Sequence, residues 1–186
     1  LPVSLFSLLL PFNKADYIRY EPVNESFLRT LRRVEPESDL VLGITHLDMD
    51  QDKALADLVD DAVLLFLGGH EHEHATAYID GTVIAKADAN AKSVYIHRVT
   101  YYPATEVARV RSTLQVIDDR IPFEPATQRV VAKWRDLGTR LIKEMGYDAA
   151  RQLMTLQAPL IGNEQIVRNE PTNYGILTAE AADRAT

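Results

Sequence analysis

Apolar positions fall into short runs broken by polar turns, and a two-residue and a 3.6-residue rhythm alternate along the first hundred residues. Residues 1–11 form an apolar run closed by Pro11, which predicts a buried strand. The run has the length of a signal-peptide core. No basic segment precedes it, however, no small-residue cleavage site follows it, and it is too short to span a bilayer. A chain that opens inside a strand is expected to be a fragment. Residues 12–23 predict an irregular segment between Pro11 and Pro22. In 24–33, Phe27, Leu28 and Leu31 share one side of a predicted amphipathic helix. Residues 39–45 predict a strand covered on both faces, with His46 at its carboxyl end. A helix is expected over 50–59 with Ala54, Leu55 and Leu58 inward, then a buried strand over 62–67 that stops at Gly68-Gly69. Asp80-Gly81 is a turn signal that makes 78–84 a hairpin. Residues 93–102 alternate like a half-exposed strand, with Val94, Ile96 and Val99 expected inward.

Strand–helix–strand order followed by antiparallel strands implies a layered α/β sheet with helices on at least one side. The character changes beyond residue 102. A linker is expected at 118–127. A long helix over 126–146 would place Val130, Val131, Trp134, Leu137, Leu141, Ile142 and Met145 at helical spacing and stop at Gly146. Residues 154–160 and 165–168 read as short strands, and Thr172 or Asn173 as the cap of a last helix. The domain expectation is therefore 1–117, a linker and bridging helix over 118–150, and a truncated second α+β domain over 151–186.

The 186 residues are 46% hydrophobic and 25% charged, which is a globular composition. A net charge of −7 provides no basic field for nucleic acid or an anionic membrane. With no cysteine, thiol nucleophiles, disulfides and zinc–thiolate sites are excluded. Four of five histidines lie between 46 and 74. Ligands of open α/β sheets bind beyond the carboxyl ends of the strands. His46 follows one buried strand there, and His70 and His72 follow the next after two glycines. Residues two apart in an extended loop point the same way, so His70 and His72 could serve one metal ion or two adjacent ones. His74 is expected to be a loop residue and His97 an exposed strand residue. Residues 70–74 also match His-Glu-x-x-His, but that signature needs a helix and no helical pattern surrounds it. Residues 48–52 begin like a calcium loop, yet Lys53 and Val59 stand where glycine and glutamate are required, so these carboxylates read as helix N-terminal charge.

Thr45-His46-Leu47 after an apolar strand, then Gly68-Gly69-His70-Glu71-His72, resembles the later half of the calcineurin-like metallophosphoesterases, in the bifunctional 5′-nucleotidase branch. Residues 86–99 resemble the strand pair that closes that domain. Residues 160–182 resemble the start of the 5′-nucleotidase C-terminal domain, with Arg168, Glu170, Thr172, Asn173 and Gly175 near its Arg-x-x-Glu-Thr-Asn-x-Gly stretch and Pro171 shifted in. The resemblance implies a metallophosphoesterase-type α/β sheet sandwich and a dinuclear phosphatase. His46 and His70 would bind one divalent ion and His72 a second, with zinc, manganese or iron as candidates. Two such ions clamp a phosphate and activate water for in-line attack. The implied substrate is a small-molecule nucleotide or related phosphate ester, with no membrane insertion in this segment. A periplasmic, secreted or surface-attached location also rests on resemblance alone. The family's Asp-x-His, bridging Asp and Asn-His motifs do not occur in the sequence. The isolated chain is thus expected to be inactive, and its catalytic and substrate-binding residues stay unassigned. Two alternatives remain open: a non-catalytic metal-binding remnant, and a related activity such as cyclic phosphodiesterase or sugar-nucleotide hydrolysis.

Overall fold

Five strands, β1 (Val3–Leu9), β2 (Leu40–His46), β3 (Leu65–Gly68), β4 (Ala75–Ile79) and β5 (Thr82–Lys86), assemble into one sheet in the spatial order β1-β2-β3-β5-β4. They belong to a computed structural model that describes residues 1–12 and 15–185. The expected irregular segment 12–23 lies partly outside those residues. β1, β2, β3 and β5 run parallel, and β4 returns antiparallel along β5. The turn between the last two strands is Asp80-Gly81, both at positive φ (43° and 94°), as the Asp-Gly signal predicts.

Helices α1 (Val23–Val34) and α2 (Met49–Asp57) form the two crossovers and pack on one face. Phe27 and Leu31 of α1 and Leu55 and Ala56 of α2 meet Phe6, Leu8, Val41, Phe66 and Ile84 from the sheet in a single core. The Phe6, Phe27 and Phe66 rings contact one another at centroid distances of 5.4–6.2 Å. Gly43 is required here, because a Cβ would sit 2.4 Å from Phe66 Cδ1. The inward face of α2 differs from the expected one. Ala54 and Leu58 are exposed, and Asp52 is buried beside Leu55 and Ala56. The rotation brings the Asp52 carboxylate to a buried lysine.

The opposite face of the sheet is covered unevenly, which corrects the expectation of strands covered on both faces. Leu65 and Ala85 are buried there, but Leu5, Leu9 and Ile44 are 60%, 60% and 48% exposed. A two-stranded ribbon of β6 (Ser93–Tyr102) and β7 (Val107–Val116) follows. Its Tyr95, Val110 and Ser112 line an open cavity with Thr76 and Tyr78 of β4 and Val83 of β5. The inward parity of β6 is Tyr95, His97, Val99 and Tyr101, and Val94 and Ile96 face out. His97 is half-buried rather than exposed. It stacks on Tyr95, its Nδ1 lies 2.8 Å from Ser112 Oγ, and burial lowers its pKa. Rings bury more area than Val or Ile, so the aromatic parity wins the covered side.

Residues 1–122 form one compact unit and 123–186 another. In the second, α3 (Pro125–Glu144) begins at Glu124, whose carboxylate accepts the Ala126 and Thr127 amides. It ends at Gly146 (φ 90°), with Tyr147 N–H donating to Ile142 O and Gly146 N–H to Lys143 O, a Schellman closure. The expected strands at 154–160 and 165–168 are not formed. The first segment is irregular, and the second lies in the short helix α4 (Glu164–Asn169), where the Asn163 side chain accepts the Ile166 amide. A cap outcompetes the weak strand signal of two apolar residues. Thr172 Oγ1 accepts the Gly175 amide and caps α5 (Asn173–Ala185), while Asn173 holds Ile161 N–H and Pro159 O with its side-chain amide.

Candidate metal centre

The parallel ladder sets the geometry. Thr45 pairs with Gly68 and Gly68 with Lys86, so the carboxyl ends of β2, β3 and β5 align at one edge. His46 closes β2 at this edge, and the loop after β3 carries His70. The His46 and His70 rings meet edge to face at a centroid distance of 5.3 Å. His70 Nε2 lies 3.0 Å from Asp48 Oδ1, and Asp48 is also the N-cap of α2 in a capping box with Gln51. The carboxylate therefore orients the His70 ring by accepting from Nε2–H, which leaves the lone pair on Nδ1.

His70 itself adopts φ 84°, and Gly68 and Gly69 do not have positive φ. The glycines serve close approach instead. A Cβ on Gly68 would sit 2.7 Å from Lys86 Cγ, and one on Gly69 would sit 3.4 Å from His46 Nδ1. Gly69 N–H donates to Thr45 O at 2.8 Å, which ties the loop to the strand that bears His46. Residues 70–74 are not helical, so the protease-type arrangement of the His-Glu-x-x-His motif is absent.

Glu71 turns toward the buried Lys86, between the half-buried His70 and the exposed His72. Its carboxylate accepts the Met49 amide at the start of α2 and pairs with Lys86 Nζ, each at 2.5 Å. Lys86 is fully buried. Its ammonium also donates to Leu47 O at 2.5 Å and lies 2.9 Å from Asp52 Oδ2. That last contact is an ion pair, and Thr45 Oγ1 is buried near the same carboxylate. Burial raises the Asp52 pKa against the pull of Lys86. Burial also acts to raise that of Glu71, but the Lys86 and Met49 donors outweigh it and the net shift is downward.

His72 and His74 lie further along the same loop. The His72 carbonyl accepts the Ala89 amide, and its side chain is exposed. His74 is an exposed loop residue, as expected, but it is anchored. Its amide and Nδ1 both contact Asp88, which also bonds Ser93. The Ser93 hydroxyl first, then His74, hold the Asp88 carboxyl at about 2.

Imidazole and carboxylate donors suit divalent ions such as zinc, manganese or iron. His70 contacts both His46 and Asp48. Among the described residues, no three His, Asp or Glu side chains gather in a group that could hold an ion, so His72 does not complete such a set. The donor types are ones a divalent cation accepts, and the set they form among the described residues is incomplete. Composition and spacing pointed to His46 and His70 but missed Asp48, Glu71 and Lys86. A lysine inside the apolar run Val83-Ile84-Ala85-Lys86-Ala87 was the available signal.

No protein-family model matches the chain, and no curated protein matches it. Among solved structures, it is similar to a candidate 5′-nucleotidase from Staphylococcus aureus, solved in complex with alpha-ketoglutarate, at a TM-score of 0.58 and 12% identity. The match covers 72% of this chain and 31% of that one, so the chain spans about a third of the length of the protein it resembles. At this identity the likeness concerns the fold: a mixed α/β arrangement of the 5′-nucleotidase type. Among the described residues, no helix is long and apolar enough to cross a membrane.

Proposed function

We propose that this fold serves a metal-dependent phosphoester hydrolase acting on nucleotides or related phosphate esters, with His46 and His70 as ligands of one metal ion and His72, on the same loop, as a ligand of a second. The observation that carries the reading is the His46–His70 pair, 5.3 Å apart at the carboxyl edge of a parallel sheet. The fold likeness to a candidate 5′-nucleotidase supports the same class. Divalent cations held there would neutralise phosphate charge and favour its transfer to water. The chain's own residues bind and orient. His46 and His70 present imidazole nitrogens, Asp48 fixes the His70 ring, and the Gly69–Thr45 bond fixes the loop.

Isothermal calorimetry with Mn²⁺ and Zn²⁺ tests the assignment. Saturable uptake is expected, and His46→Ala or His70→Ala should abolish it. Uptake that survives both substitutions would overturn it. The incomplete donor set favours a second reading, a non-catalytic metal-binding domain of the same fold. Turnover of a nucleoside monophosphate by the protein, lost on His46→Ala, decides for the enzyme.

A further inference from the structure

Each of the two paired histidines is followed by a residue held by the same lysine. Leu47, after His46, gives its carbonyl to Lys86 Nζ, and Glu71, after His70, gives its carboxylate. The lysine stem passes beneath Gly68, where only a missing Cβ leaves room. Two residues on, Asp88 accepts the His74 amide, and the Ala89 amide donates to His72 O. One segment, 86–89, therefore grips the histidine loop at 71, 72 and 74, and grips the end of β2 at 47. The loop needs such a grip. His70 is held at φ 84°, a conformation that a residue with a side chain keeps only when its surroundings impose it.

We propose that Lys86 and Asp88 are positioning residues, a clamp that fixes the His70–His74 loop so that His70 faces His46 and both can meet one divalent cation. The cation part rests on the function proposed above. The clamp part rests on the contacts alone. Lys86 supplies the central link by binding the residues next to both histidines, and Asp88 secures the far end of the loop. Neither touches the cation, so their effect is on how well the site is preorganised.

The test uses the 186-residue chain with Lys86→Met, which keeps the stem and removes the ammonium, and with Asp88→Asn and Glu71→Gln, which spare the core. Val63→Ala is the control for stability alone, because Val63 is fully buried in the hydrophobic core. Amide hydrogen exchange over 69–74 reads the clamp, and Co²⁺ titration followed by visible absorption reads the site. In all three clamp variants, exchange should quicken at least tenfold in the loop, and Co²⁺ affinity should fall about 10–100-fold. Val63→Ala should change neither. If Lys86→Met does not fold, Asp88→Asn and Glu71→Gln carry the test. Loop exchange within threefold of wild type in the folded variants overturns the clamp. A quickened loop with unchanged Co²⁺ affinity overturns its link to the site. If wild type and His46→Ala take up Co²⁺ equally, the metal reading fails, and exchange alone then decides for or against the clamp.

Discussion

At residue scale, the site edge is organised by one buried cation. Lys86 is fully buried among two carboxylates and a carbonyl, and removing one partner of a buried ion pair leaves the others uncompensated. Lys86→Met is expected to lower unfolding stability by about 3–5 kcal/mol, measured by urea denaturation. Gly68→Ala would press a methyl group against the same stem and should cost about 1–3 kcal/mol in the same assay. His70→Gly should do the reverse. Releasing the positive φ stabilises the fold by about 1 kcal/mol while deleting the imidazole, so stability and cation uptake move in opposite directions. Asp88 governs acid behaviour. Its folded pKa of about 2 lies below the ordinary 3.8, so its contribution is present above 3.8 and is lost as pH falls toward about 2. The stability difference between wild type and Asp88→Asn should shrink across that interval.

At element scale, the sequence disclosed those units whose signals are local. The Asp80-Gly81 hairpin, the α1 face of Phe27 and Leu31, the Gly146 stop and the position of His46 were all legible, because each is decided within a few residues. What escaped depended on partners far along the chain. The buried face of α2 is rotated because Asp52 meets Lys86, and β6 turns Tyr95 and His97 inward because β7 and β4–β5 offer contacts there. Glu71 follows the same rule, since its partner Lys86 lies fifteen residues further along the chain. The helix start at Asp48 serves two roles, as the cap of α2 and as the partner of His70. Asp48→Ala should therefore cost about 1 kcal/mol of stability, read by thermal melts, and should also weaken cation uptake.

At the scale of the whole molecule, the chain comprises two units, and the first contains every residue of the candidate site. Residues 1–122 have their own core of α1, α2 and the five-stranded sheet, so a chain ending at Pro122 should fold and retain the His46–His70 pair. Amide protection in β2 and β3 equal to that of the longer chain would bear this out. The proposed function requires the two imidazoles at the sheet edge to share one divalent ion. X-ray absorption at the zinc edge of the loaded protein tests it most directly. Imidazole scattering from at least two rings is expected, reduced when His46 or His70 becomes alanine. A spectrum of oxygen ligands alone, unchanged by either substitution, would contradict it.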